Sequence, residues 1–288
     1  MKRIGGLTFL FVILCFVGCA KSDKQKAKSL LDEARIAIDE ARYDQAAELL
    51  DSIHTTYTDL LAERKKALEL QKELNCLRME LRIDSIALRL GEIDSLIVEQ
   101  QNALYAAPSG FEYGTEASFR SALRTAQFIA ANPLQLKTDT LGFLTLQELY
   151  AGGTKLNHDS FTLTAGNEQV LIEPITHDQG LNYRFQSAGI NYESLTLSPK
   201  ESRRVAFWID SIAGEQVDHF ILQRQLNGRR VGSSQSVKVA KLSSFIQTYC
   251  LAELYAEKFA LQKEQLRKKE LLLNKKEAIL NKQQMEDK

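Results

Sequence analysis

From Leu60 to Leu104 the chain has no proline and a single glycine, Gly91, and its apolar residues recur at sevens. A stretch of that kind is stable only as a long helix with a partner lying along its apolar stripe. Leu60, Ala67, Leu74 and Leu81, with Leu70 and Leu77, set one register. Ile83, Leu90, Ile97 and Leu104, with Ile86 and Ile93, set a second. The step from Leu81 to Ile83 breaks the phase, so the stretch is not one ideal coiled coil. At 1.5 Å per residue it reaches about 65 to 70 Å.

A second stretch of similar length closes the chain. Ser244-Phe245-Ile246-Gln247 fits a capping box, and no Gly or Pro follows before Gln284. Phe259, Leu266, Leu273 and Leu280 are spaced by sevens, while the companion row Tyr255, Gln262, Lys269, Lys276 is mostly polar. The matched lengths predict an antiparallel pair of long helices with the middle of the chain at their far end. The alternative is self-association, in which either helix pairs with a second chain. With the antiparallel pairing, Cys76 and Cys250 lie about 30 Å apart along the helices. A disulfide needs Cα atoms within about 7 Å, so none is expected between them.

Between these helices the pattern changes. Of 13 Phe, 9 Tyr and 1 Trp, 18 lie between Tyr105 and Ala260, as do 11 of the 15 glycines and all 4 prolines. The period there is two. Leu141 to Tyr150, Ser160 to Thr164, Gln169 to Ile172, Leu181 to Phe185 and Asn191 to Leu197 read as short antiparallel strands. Asn227-Gly228 tolerates the positive φ of a two-residue type I′ turn, which makes His219 to Val239 a hairpin with Phe220, Leu222, Leu226, Val231 and Val237 on one face. One helix is well punctuated: Ser198 caps, Pro199 opens, Glu201 completes the box, Val205, Trp208, Ile209 and Ile212 face inward, and Gly214 stops it. Ser118 to Ala131 satisfies both alternation and a helix period. The fold class is α+β, with long, largely coiled-coil-like helices flanking a small, mainly antiparallel β domain.

Ahead of the first long helix, Leu30, Leu31, Ala34, Ala37 and Ile38 share one helical face and Ala46, Leu49, Leu50 and Ile53 another, joined through Ala41-Arg42-Tyr43-Asp44. This resembles a single tetratricopeptide unit over about 34 residues, with Ala34 and Ala46 at the small positions that let two helices approach closely. Ala41 stands where that family has a turn glycine. Because such solenoids need about three repeats to bury a core, the unit reads as a helical hairpin packed on its neighbour.

Lys2 and Arg3 precede a 15-residue run, Ile4 to Gly18, of apolar residues, Gly and one Thr. That is a secretory h-region, and a spanning helix needs about 20 apolar residues. Phe16-Val17-Gly18-Cys19 resembles the lipobox of bacterial lipoproteins, with Phe16 and Val17 departing from the usual Leu and Ala or Ser. The resemblance implies cleavage before Cys19, acylation of its thiol, and stable attachment to a membrane through more than one chain. The layout as a whole resembles a set of uncharacterised Bacteroidetes lipoproteins. That resemblance implies a bacterial envelope location, lipid-anchored at the outer membrane and facing the periplasm, because Lys21-Ser22-Asp23 lacks the acidic cluster of surface-exported relatives. The expected layout is a signal peptide at 1–18, a tether at 19–26, the hairpin at 27–58, a long helix at 59–105, the β-rich domain at 106–240 with a helix at 199–213, and a C-terminal helix at 241–288.

Without Lys2 and Arg3, 35 basic side chains stand against 37 acidic ones. That balance disfavours nucleic acid, whose binding is dominated by basic excess. His158-Asp159-Ser160 places triad residue types side by side, whereas a triad draws them from separate segments, so the run reads as a loop entering a strand. The four histidines, His54, His158, His177 and His219, show no metal-ligand spacing, although His158 and His177 with Asp159 and Asp178 could meet between loops. Gly152-Gly153-Thr154-Lys155 lacks the earlier glycine of a phosphate loop. Tyr150, Tyr183 and Tyr192 read as core rather than as a glycan-stacking surface. Arg267 to Lys276, interrupted by Glu270 and Leu271 to Leu273, reads as a solvated helix face. No residue is assigned a catalytic, metal or cofactor role. The expected function is a non-enzymatic protein-interaction scaffold or adaptor held by Cys19, and the alternative is a lipoprotein that binds a glycan or peptide through the β domain.

Overall fold

The computed structural model describes residues 22–106, 111–113, 119–121, 126–177 and 180–286. The expected signal peptide, Cys19, Asp178 and most of 115–125 lie outside the described residues. The chain is α+β and divides into two compact units, one of residues up to Ser85 with those from Leu266, the other Ile86–Gln265.

In the first unit, α1 (Asp23–Asp39) and α2 (Tyr43–Thr56) form the expected hairpin, and α3 (Leu61–Ala106) begins beside them. α1 starts inside the segment expected to be a tether. The Ser22 hydroxyl accepts the Gln25 N–H at 3.3 Å and the Gln25 side chain accepts the Ser22 N–H at 3.2 Å, a capping box that satisfies two end groups of the helix. Ala41 takes the left-handed φ of 57° that a glycine would take more cheaply, and the Arg42 N–H returns to the Ala37 carbonyl at 2.7 Å. Ala34 and Ala46 are fully buried, as the close helix approach requires, and Leu31, Ala37, Ile38, Leu50 and Ile53 complete the interface with Ala67, Leu70 and Leu74 of α3. The first register of α3 is therefore spent on the hairpin.

The C-terminal part of α6 (Ser243–Glu286) runs antiparallel to α3 in this unit, with Lys276 on Glu80 at 2.5 Å and Lys282 on Glu69 at 2.7 Å. The expected seam is not the one used. Leu266, Leu273 and Leu280 are 70%, 59% and 54% exposed, whereas Lys268, Leu272 and Ile279 are half-buried. The reason is that α3 has already given its apolar stripe to α1 and α2, so α6 meets it through charged side chains and a thin apolar row.

In the second unit, the later half of α3 and the early half of α6 do share an apolar seam. Ile93, Ile97 and Leu104, members of the second register, pack with Leu251 and Tyr255, backed by Leu254 and Leu261. Arg89 holds Glu257 at 2.8 Å and Gln101 donates to the Tyr255 hydroxyl at 2.8 Å. The two registers thus answer to two partners. α6 grows out of a 3-10 turn at Val239–Leu242, so Ser244 lies inside the helix and the expected cap there does not form. Cys76 and Cys250 are free thiols.

The β domain is two antiparallel sheets facing one core. The first has the order β1-β2-β3-β4-β8-β7, formed by β1 (Phe111–Tyr113), β2 (Phe119–Ser121), β3 (Leu134–Thr138), β4 (Leu144–Gly152), β7 (Asn182–Ser187) and β8 (Ile190–Thr196). The second has the order β10-β9-β5-β6, formed by β5 (Ser160–Ala165), β6 (Glu168–Leu171), β9 (His219–Leu226) and β10 (Arg229–Arg230), with β11 (Gln235–Lys238) also on β9. The hairpin turns at Asn227 (φ 51°) and Gly228 (φ 73°) as a type I′ turn demands. Its return strand breaks after Arg230 and resumes at Gln235. Within Ser118–Ala131 the described residues form the strand β2 and the short helix α4 (Ala126–Ala131).

α5 (Pro199–Gly214) is capped by Ser198 as expected, but the left-handed residue beyond its end is Gln216 (φ 61°) and not Gly214. Val205, Ala206, Ile209 and Ile212 enter the core with Phe245, Tyr249 and Ala252 of α6. Ser202 fixes α5 to the first sheet, its hydroxyl accepting the Leu146 N–H at 2.9 Å. Gly142 is required at the β3–β4 turn: its φ is +80°, and a Cβ there would lie 2.5 Å from the Ala252 carbonyl oxygen.

Candidate functional site

Strand alternation decides which side chains face between the sheets. Along β4 the inward row is Leu144, Leu146, Glu148. Along β8 it is Glu193 and Leu195, and along β9 it is Phe220, Leu222, Arg224. On three strands the inward row thus turns from apolar to ionised toward the same end. Glu148, Glu193 and Arg224 are buried there with His158, which leads into β5.

The four groups satisfy one another. His158 Nε2 lies 2.6 Å from Glu148 Oε2, and Nδ1 lies 2.6 Å from Glu193 Oε2. Both acceptors are carboxylates, so both ring nitrogens donate and the ring is an imidazolium. Arg224 donates from Nε to Glu148 Oε1 at 2.7 Å, and its other nitrogens reach the Leu149 carbonyl at 2.9 Å and Gln235 Oε1 at 3.2 Å. Its guanidinium also stands 5.1 Å from the centre of the Tyr150 ring. Glu193 accepts the N–H groups of Leu156, Asn157 and His158 at 2.7, 2.8 and 3.0 Å, which folds the loop after β4 over the end of the sandwich. Arg184 holds the same loop from the other side through the carbonyls of Asn157 and His158, each at 2.9 Å.

Two positive and two negative charges make the cluster neutral, and the pKa values follow. Burial alone pushes His158 down, but Glu148 and then Glu193 outweigh it and hold the ring up at about 9. Burial alone raises Glu193, whereas the His158 bond and the Asn157 and Leu156 amides bring it down to about 2. Glu148 is raised by burial and lowered more by Arg224 and His158, for a net depression. An imidazolium with both protons engaged has no lone pair to act as a base, and a carboxylate holding Arg224 and His158 has no free proton. As arranged, the cluster locks the fold.

Above it, a cavity of about 380 Å³ is lined by Tyr150, Leu156, Arg224, Ser233, Ser234 and Gln235, among others. Within the first unit, a larger cleft of about 1160 Å³ lies among α1, α3 and α6, with Leu31, Leu77 and Leu280 in its walls beside Lys28, Lys72 and Lys275.

The residues singled out in the sequence are dispersed. Asp159 accepts from the Ser160 hydroxyl at 2.8 Å and from the Asn227 N–H at 2.9 Å, which ties a strand entry to a hairpin turn, so His158-Asp159-Ser160 is no triad. His54 lies on α2, His177 is exposed, and His219 opens β9 beside Asp218. Among the described residues no group of three His, Cys, Asp or Glu could hold a metal ion. Tyr150 turns inward and its hydroxyl donates to the Thr154 carbonyl at 2.9 Å. Tyr183 and Tyr192, expected in the core, lie on the outer face instead: Tyr183 is 64% exposed, and Phe185 stacks on Tyr192 with ring centres 4.7 Å apart. No helix among the described residues is long and apolar enough to cross a membrane.

Glu148, Glu193 and Arg224 do carry a signal in the sequence: each is a charge standing where an alternating strand has its next inward residue. His158 has no such signal, since its partners lie 10 and 35 positions away in the chain. Comparison with protein-family models, with curated proteins and with solved structures gives no match.

Proposed function

We propose that this chain is a non-enzymatic scaffold or adaptor of the bacterial envelope, tethered through lipidated Cys19 and acting by protein contact. The observation that carries the reading is the uncovered row Leu266, Leu273, Leu280 on α6. Three leucines in register on one helix face, each more than half exposed, are the kind of exposed apolar patch that marks an interaction site. The reading is also favoured by the ionic cluster, whose acids and bases are spent on one another. Crosslinking in intact cells followed by mass spectrometry tests it: a protein joined to the 266–282 stretch is expected, and recovery of none would sink the scaffold. Cys19→Ser should release the chain from the membrane fraction or leave the signal uncleaved.

A second reading has one observation in its favour. Tyr183, Phe185 and Tyr192 form an exposed aromatic cluster on β7 and β8, with Tyr183 and Phe185 5.8 Å apart. Such a surface suits a glycan or an apolar peptide. Retention on a glycan array that is lost in Tyr183→Ser, together with no protein crosslink, would favour it over the scaffold.

A further inference from the structure

We infer that the occupant of the α6 leucine row is a second copy of this chain, paired in parallel through the same row. The inference rests on the scaffold reading and names its partner. On an α-helix, residues seven apart drift by only about 20°, so Leu266, Leu273 and Leu280 form one narrow row. Measured from Leu273 at about 100° per residue, Lys269 and Lys276 fall about 40 to 60° to one side, and Glu270 and Glu277 about 40 to 60° to the other. All four are exposed. One flank of the row is therefore basic and the other acidic.

This asymmetry selects the pairing. When two copies of a helix face each other about an axis parallel to both, the basic flank of one meets the acidic flank of the other. When they run antiparallel, lysine meets lysine and glutamate meets glutamate. The same logic makes flanking charges choose orientation in coiled coils. Lys276 is shared with Glu80 of its own chain, while Lys269, Glu270 and Glu277 form no ion pair among the described residues and stand ready for a partner. Three leucines and exposed ion pairs make a weak seam in dilute solution. Two chains held on one membrane surface meet at a much higher effective concentration, which converts weak contacts into a populated pair.

The test uses the full chain, acylated at Cys19, in phosphatidylethanolamine–phosphatidylglycerol vesicles, with Cys76 and Cys250 replaced by Ser. Leu266→Cys, Leu273→Cys and Leu280→Cys are each oxidised with copper phenanthroline in air, and Leu271→Cys, exposed on another side of α6, serves as control. Parallel pairing gives a disulfide dimer from each of the three, several-fold more than from the control. Lys269→Glu should weaken the dimer, and Glu270→Lys in the same chain should restore it. A dimer from Leu273→Cys alone would mean antiparallel pairing and overturn the inference. So would equal dimer from Leu271→Cys, which is random collision. No dimer from any variant, with a different protein crosslinked at 266–282, sinks self-pairing and leaves the scaffold standing. No dimer and no other protein sinks both.

Discussion

The two ends of the β sandwich interior are built by opposite means from the same strands. At one end Leu144, Leu146, Leu195, Phe220 and Leu222 meet α5 and the first turns of α6 in an apolar core that needs no geometry beyond shape. At the other, two residues away along each of β4, β8 and β9, Glu148, Glu193 and Arg224 close on His158 with contacts of 2.6 to 2.7 Å. Apolar burial stabilises each residue more or less independently, at about 25 cal/mol per Å². Buried charges are worth little on balance and much as a set, because desolvation offsets their attraction and any partner left alone is stranded.

Breaking the ionic end is expected to have the largest effect. Arg224→Met removes the cation from Glu148 and leaves a buried cluster with net negative charge, at a cost of about 3 to 5 kcal/mol. Denaturant unfolding should show it, and a loss below about 1 kcal/mol would mean that water reaches Glu148. The apolar end should respond more gently, with Leu146→Ala costing about 3 kcal/mol through lost burial and a residual cavity. Its defining property is that the loss is the same at every pH, and a pH-dependent loss would couple the two ends.

The pH profile sharpens the contrast further. His158 is raised from 6.5 to about 9 in the fold, so its contribution is complete below pH 6.5 and is lost as pH rises through 9. Glu193 is lowered from 4.5 to about 2, so its contribution is complete above pH 4.5 and is lost as pH falls through 2. Stability from these two groups is therefore greatest between pH 4.5 and 6.5. Going from pH 7 to pH 9 should cost about 2 kcal/mol, and the same limb should be flat in His158→Leu.

What the sequence disclosed divides along the same line. The apolar side was legible: Ile86, Ile93 and Ile97, the row around Phe220 and Leu222, and the capped helix behind Ser198 lie where periodicity puts them. Periodicity failed where a helix or strand has a choice of partner. Leu266, Leu273 and Leu280 have the spacing of a buried seam but face outward, because the first half of α3 is taken by the α1–α2 hairpin. Tyr183 and Tyr192 keep strand alternation, which says that they share a face and not which face is covered. Leu134–Thr138 is a strand beyond those that alternation picks out, and the capping residue of α1, Ser22, is hidden in what reads as a polar tether. The ionic end was half legible, since Glu148, Glu193 and Arg224 interrupt inward rows. Why the interruptions sit at one end follows only from the register β4 shares with β8 and β5 shares with β9.

Glu148 and Arg224 are 76 positions apart in the chain, and His158 and Glu193 are 35 apart. Bringing such distant groups together requires closing long loops before any reward is collected. Since none of the four is worth dehydrating until the others have arrived, the cluster is expected to close after the folding barrier, so that Arg224→Met speeds unfolding in stopped-flow more than it slows refolding. Interactions missing from the barrier govern how fast a protein opens rather than how fast it forms. On that expectation the charged end is a latch: it would do little to guide the chain into its fold and much to lengthen the time the chain stays there.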